Sequence, residues 1–211
     1  MMQAHVRVRN AVRGLLQAYG TRAIKQHLWN TEFSSGHWDC LDDTRGDCVY
    51  RYLERYAGGG RILDLGCGSG TTALELNPAC YRHYTGVDIS EVAIQKARLR
   101  SPAFQQADEI EFRQGDIFSY VAGGPFEVIL FRDSIYYVPH GRIAGMLRRY
   151  ANYLSDTGVF IVRMASGRDA YGSIVETIES EFDVAETYAS DDPKAFVIVF
   201  RPRRLRSRIS E

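Results

Sequence analysis

At 211 residues, with 45% hydrophobic side chains and 12% aromatics, the chain has enough apolar material for a substantial core, which excludes a disordered chain. Twenty-six basic residues balance twenty-six acidic ones, so the overall field gives no reason to expect a polyanion partner. The longest apolar run, Ala195 to Phe200, is far too short to cross a bilayer, and no apolar signal region follows the Arg-bearing N-terminus; a cytoplasmic protein without a membrane partner is expected. Cys40, Cys48, Cys67 and Cys80 form no Cys-x-x-Cys pair, so four free thiols, no disulfide and no metal are expected.

In chain order, Val6, Val12, Leu15, Leu16, Tyr19, Ile24 and Leu28 recur at helical intervals broken at Gly20-Thr21, which predicts two helices. A Gly- and Asp-rich loop over 34–47 follows, then a helix carrying Cys48, Tyr52, Leu53 and Tyr56 that Gly58-Gly59-Gly60 stops. Strands are predicted at 61–65, 84–88, 110–114, 126–131 and 158–163, and helices at 70–77, 90–100 and 140–154, the last with Ile143, Leu147, Tyr150 and Leu154 as its apolar stripe. This alternation implies an α/β fold of parallel strands with right-handed crossovers. The tail departs from it: a helix over 170–181 precedes two strand-like runs, 183–189 and 195–201, joined by Ser190-Asp191-Asp192-Pro193-Lys194 as a hairpin. No repeat or linker divides the chain.

The most informative segment is Ile62-Leu63-Asp64-Leu65-Gly66-Cys67-Gly68-Ser69-Gly70-Thr71, with Gly86-Val87-Asp88-Ile89-Ser90 after it. An apolar run ending in alternate glycines reads as a buried strand entering a tight turn against which a ligand can lie. The step from Gly70 to Asp88 holds one helix and a second parallel strand, so Asp88 comes up beside the turn, where a carboxylate suits a ribose with two free hydroxyls. A dinucleotide fingerprint would need its third glycine where Thr71 stands, and Asp64 would repel a diphosphate while accepting from an ammonium group. The pattern favours a cationic amino-acid nucleoside over NAD.

These residues resemble the class I S-adenosylmethionine-dependent methyltransferases, in particular small stand-alone bacterial ones of glycan or secondary-metabolite pathways. The hydrophobic-Asp-hydrophobic-Gly-x-Gly-x-Gly pattern resembles their first motif and Val87-Asp88-Ile89-Ser90 the acidic end of their second strand. Glu111-Phe112-Arg113-Gln114-Gly115-Asp116-Ile117 and Phe126-Glu127-Val128-Ile129-Leu130-Phe131 follow in the expected order. The resemblance implies a Rossmann-like doubly wound sheet of seven strands in the order 3-2-1-4-5-7-6, strand 7 antiparallel. It divides the chain into an N-terminal helical lid (1–57), a cofactor-binding core (58–201) and a basic tail (202–211).

The cofactor so implied is S-adenosylmethionine, with S-adenosylhomocysteine as product. Asp64 is expected at the methionine ammonium, Gly66, Gly68 and Gly70 beneath the methionyl and ribose portions, and Asp88 on the ribose hydroxyls. Asp116, Ile117 and Ile89 would frame the adenine, and Phe131 and Arg132 would lie near the sulfonium, core packing being an equal reading for Phe131. For proton removal the loop after the fourth strand offers Asp133 or His140, with Tyr136 and Tyr137 shaping the acceptor pocket. The segment Ser34-Ser35-Gly36-His37-Trp38-Asp39 reads as a closing lid whose His37 and Trp38 meet the acceptor.

The expected activity is methylation of a small molecule, with oxygen on a sugar or other metabolite preferred over nitrogen. A nucleic-acid amino methyltransferase would carry an Asn/Asp-Pro-Pro-aromatic turn where Arg132-Asp133-Ser134-Ile135 stands. Nucleic acid is therefore disfavoured despite the basic run from Arg201 to Arg208. A non-catalytic cofactor-binding protein and an NAD-dependent oxidoreductase are the alternatives. No motif specifies the acceptor or the oligomeric state.

Overall fold

The structure, a computed structural model, describes residues 12–100, 109–191 and 194–203. Val6, Asp192, Pro193 and the tail from 204 onward, with the rest of the basic run, lie outside the described residues. Helical residues 12–19 (α1) and α2 (Arg22–Ser34) come first, divided at Gly20-Thr21, where the Thr21 hydroxyl caps the Ile24 amide. The core elements are α3 (Val49–Ala57), β1 (Gly60–Leu65), α4 (Thr71–Glu75), β2 (Tyr81–Asp88), α5 (Glu91–Arg100), β3 (Ile110–Gln114) and β4 (Phe126–Arg132). After them come α6 (His140–Ala151), β5 (Leu154–Met164), α7 (Gly172–Glu181), β6 (Phe182–Asp191) and β7 (Lys194–Pro202).

Among the described residues the sheet has seven strands in the order β3-β2-β1-β4-β5-β7-β6. β1 to β5 pair in parallel, and β7 runs antiparallel to both β5 and β6. Both faces are covered, as a parallel sheet requires. On one face Ile62, Val128, Leu130 and Ile161 pack with Leu53 of α3 and Ile94 of α5; on the other Leu63, Ile129, Phe131 and Phe160 pack with Leu147 of α6 and Val175 of α7. Each such side chain contributes about 1.5–3 kcal/mol by leaving water. α3, grouped with the lid by sequence, packs on β1, β4 and β5 and is part of the core.

Several element boundaries differ from those the periodicity predicts, among them the start of β2, at Tyr81 rather than 84. α4 ends at Glu75 because Pro78 disfavours helical geometry at Asn77, whose side chain instead caps a short turn by accepting from the Ala79 amide at 3.0 Å. α6 stops at Ala151, and Leu154, counted in its apolar stripe, opens β5 opposite Phe126. β5 thus starts four residues before the predicted 158. No helix among the described residues is long and apolar enough to cross a membrane.

Candidate active site

The parallel strands β1 to β4 end at one edge of the sheet, and their tips, with α1 and α2 above them, enclose a hollow of about 1140 Å³ including its open mouth. It lies at the switch point where β1 has β2 on one side and β4 on the other.

The floor is the turn after β1. Gly66, Gly68 and Gly70 all adopt positive φ, at 88°, 54° and 79°. A Cβ on Gly66 would fall 2.4 Å from Ser134 Cβ, and one on Gly70 2.7 Å from Phe112 Cζ, so these two are glycines because protein atoms fill the space. At Gly68 the nearest neighbour would be Phe33 at 3.5 Å, and this glycine borders the hollow. Gly70 does not line it; its role is packing.

Asp64 is fully buried at the end of β1, and one oxygen accepts from the Tyr84 hydroxyl. Its Oδ1 has no partner within the protein. Burial pushes the Asp64 carboxyl up to about 6, against the pull of Tyr84 and Arg132. Asp88, at the end of β2, accepts from the Gly68 amide at 3.0 Å through Oδ2 and from the Ser90 amide at 2.8 Å through Oδ1. It too is pushed up to about 6 by burial, which those amides oppose. Each Asp88 oxygen keeps a lone pair for a ligand. Ile89, Asp116 and Ile117 continue this wall, Asp116 accepting from the Phe118 amide at 2.8 Å.

The opposite wall follows β4. Asp133, at φ 52°, accepts from Arg163 at 2.5 Å and faces the Tyr136 hydroxyl at 3.5 Å. Burial raises its carboxyl above the usual range, with Arg163 and Arg132 opposing. Asp47 sits against both arginines, at 3.0 Å from Arg132 and 3.1 Å from Arg163, and although burial raises it these charges hold it below the ordinary value. Arg132 also donates to the Tyr50 hydroxyl at 3.0 Å and to Thr72 at 3.2 Å, so it borders the hollow as part of a paired network. Tyr136 stacks on Tyr171 at 5.1 Å, and burial raises its phenol strongly. Tyr137, pushed up to about 12 by burial, meets Trp29 edge-on at 4.7 Å.

Besides Gly70, three predicted site residues lie elsewhere. Phe131 is wholly buried on the α6 face, edge-on to Tyr150 at 6.2 Å, because strand alternation turns it away from the face of Leu130. His140 is exposed at the start of α6 and bonds Ser173 O at 2.9 Å and Thr177 Oγ1 at 3.1 Å, outside the hollow. His37 is exposed, its ring edge-on to Trp38 at 4.9 Å, and does not line the hollow. Trp38 does line the hollow, held by its indole N–H on Glu32 at 2.9 Å.

Sequence reasoning expected a helical lid but missed the side chains by which it lines the hollow. Lys25, Trp29 and Phe33, four residues apart on α2, form one stripe over the hollow, joined by Gln17 of α1. Glu32 ties the roof together: it accepts from Gln17 at 2.9 Å and pairs with Arg13 at 2.5 Å besides holding Trp38. The i, i+4, i+8 spacing was visible, but it reads equally as a helix packed on a core. All four cysteines are unpaired, and no cluster of three metal-ligating side chains occurs among the described residues.

A doubly wound sheet with a carboxylate at each of three successive strand tips and a glycine turn between them defines an α/β protein with an acidic pocket at its switch point. The methyltransferase domain family matches residues 45–207, and the chain belongs to it. The match leaves α1 and α2 outside. The chain is similar to 27-O-demethylrifamycin SV methyltransferase of Amycolatopsis mediterranei (strain S699), 29% identical over 123 residues, 55% of this chain and 45% of that protein. It is also similar to carboxy-S-adenosyl-L-methionine synthase of Desulfotalea psychrophila (strain LSv54 / DSM 12343), 30% identical over 145 residues, 62% and 59% of the two. The matches thus span about half the length of these curated relatives. Among solved structures, N-methyltransferase NodS from Bradyrhizobium japonicum WM9 in complex with S-adenosyl-L-homocysteine shares the fold, with a TM-score of 0.66 over 85% of this chain and 98% of that one at 16% identity.

Proposed function

We propose that the chain is an S-adenosylmethionine-dependent methyltransferase of a small molecule, with a hydroxyl oxygen on a sugar or other metabolite as the preferred nucleophile over nitrogen. The observation that carries this reading is the unpartnered Asp64 Oδ1, buried at the floor of a hollow whose next strand tip presents Asp88. A buried carboxylate oxygen without a donor calls for a cationic partner, and the methionine ammonium supplies one. Asp88 would take the ribose hydroxyls, and Asp116 with Ile89 and Ile117 the adenine.

When bound, the cofactor supplies a methyl group on a sulfonium, with leaving-group activation built in. The chain's own part is to align the acceptor, exclude water and take up a proton. Trp29, Phe33 and Trp38 cover the hollow and exclude water. Asp133 is our candidate proton acceptor: its raised carboxyl is closer to a hydroxyl's demands than an ordinary aspartate, and Arg163 fixes its orientation. The phenol of Tyr136 stays protonated and orients the acceptor through its hydroxyl.

The test has two stages. Calorimetry should show S-adenosylhomocysteine binding and no NAD binding, and radiolabelled S-adenosylmethionine should then pass label to a metabolite fraction. Binding without transfer across a broad panel would favour a non-catalytic cofactor-binding protein, and NAD binding would reverse the assignment.

A further inference from the structure

Residues 38–44 form a strap along one side of the hollow, which Trp38, Leu41 and Thr44 line. Its two ends are tied to helices: Trp38 donates to Glu32 of α2 at 2.9 Å, and Thr44 donates to Glu75 of α4 through its amide at 2.7 Å and its hydroxyl at 2.8 Å. Between these ends the strap is held from α5. Lys96 and Arg100, four residues apart on one face of that helix, pair with Asp39 at 2.9 Å and Asp42 at 2.8 Å. Arg100 also donates to the Asp42 carbonyl at 2.9 Å, so two of its nitrogens engage one strap residue.

The same guanidinium reaches the glycine turn. Its Nη1 lies 3.2 Å from both Ser69 O and Ser69 Oγ and 3.1 Å from Thr71 Oγ1, so its two hydrogens are shared among these oxygens and Asp42 Oδ1. Ser69 Oγ in turn donates to Asp42 Oδ1 at 2.7 Å. Ser69 stands between Gly68 and Gly70, both at positive φ, and lines the hollow as Thr71 does, whereas Arg100 lies outside it. One cation therefore fastens the strap to the turn. Resting on the function proposed above, we infer that Arg100 is a positioning residue for the cofactor, fixing the turn through Ser69 and closing the strap against it through Asp42. Its pair with Asp42 keeps side-chain exposures of 29% and 39%, so salt reaches this latch. The contact expected at the fully buried Asp64 is screened much less.

The test measures S-adenosylhomocysteine affinity by calorimetry at about 0.1 M and about 1 M salt, across which the screening length shrinks from about 10 Å to about 3 Å. The wild type should bind about threefold more weakly at the higher salt. Arg100→Met should bind about fivefold more weakly than the wild type at the lower salt, and its affinity should no longer respond to salt. Arg100→Lys keeps the charge and should recover much of the affinity together with the salt response. Asp42→Ala should weaken binding as Arg100→Met does, and the double variant should lose little more than either alone, a coupling that a general loss of stability would not produce. Wild-type affinity in Arg100→Met, an undiminished salt response there, no rescue by Arg100→Lys, or additive losses in the double variant overturns the inference. If Arg100→Met fails to fold, Asp42→Ala decides, and unchanged affinity in it overturns the inference equally. Failure of S-adenosylhomocysteine to bind the wild type counts instead against the proposed function.

Discussion

Asp64, proposed above for the ammonium site, carries a cost in the unliganded fold. Its carboxyl rises from 3.8 to about 6 through burial, so its contribution to stability is complete below the unfolded value and is lost as pH rises through about 6. The difference corresponds to about 3 kcal/mol at pH 8. Asp64→Asn keeps an acceptor for Tyr84 and removes the charge. It should raise the melting temperature of the unliganded protein by several degrees at pH 8 and change it little at pH 4, while weakening S-adenosylhomocysteine at least tenfold, the usual scale for a lost charged hydrogen bond of ~1.5–3 kcal/mol. In the wild type the affinity should fall as pH drops below about 6, because the acid form of Asp64 offers no charge to an ammonium. Thermal melts and calorimetry at the two pH values check this, and a pH-independent affinity would remove Asp64 from the ammonium site. The placement of Asp64 and Asp88 at neighbouring strand ends was legible in the sequence, because each stands at a fixed distance from the glycines. Of the two readings open for Phe131 the core one holds, because adjacency in sequence is opposition in a strand, and His140 falls outside the hollow because nothing in Pro139-His140-Gly141 says that the ring turns to α7.

The glycine turn separates two demands that the Gly-x-Gly-x-Gly pattern merges. Gly70 carries φ 79° with Phe112 Cζ and Ala97 Cβ at 2.7 and 2.9 Å from its would-be Cβ, so Gly70→Ala combines left-handed strain of about 1–2 kcal/mol with a clash inside the core. We expect a loss of about 2 kcal/mol or more, some 4–8 °C in melting temperature for a chain of this size. Gly68→Ala has the same backbone strain but meets only Phe33 at 3.5 Å. Its larger effect should be on S-adenosylhomocysteine affinity, since the methyl enters the hollow. Melting both variants with and without ligand separates these outcomes, and equal loss of affinity and stability at both positions would contradict the division. At this level the alternation of strands and helices, the strand order and the terminal antiparallel strand were readable from apolar period and from resemblance. The short α4 and the early start of β5 were not, because a proline veto and a strand pairing across Phe126–Leu154 override local periodicity.

The whole molecule joins a rigid sheet to a lightly held roof. The central strands β4 and β5 contribute Val128 to Phe131 and Val159 to Val162, all fully buried, whereas α2 buries only Glu32 and Phe33. Its ties to the core are few: Asn30 accepts from the Ser90 hydroxyl at 2.8 Å and the Val92 amide at 3.4 Å, and Trp29 leans on Tyr137. A helix with so little buried surface opens at a small fraction of the global unfolding free energy. Ser90 also caps α5, its hydroxyl accepting from the Ala93 amide at 3.1 Å, and follows directly on Asp88 and Ile89. A nucleoside held by Asp88 and covered by Phe33 would therefore steady both ends of the Asn30 contact. Hydrogen exchange should find α2 amides exchanging orders of magnitude faster than those of β4 and β5 in the unliganded protein, and slowing about tenfold or more when S-adenosylhomocysteine is added, with β4 and β5 little changed. Asn30→Ala should speed α2 exchange in the free protein and shrink the protection that the ligand confers. If the ligand binds and α2 exchange stays as it was, the helix is a fixed wall and acceptor entry does not require it to open.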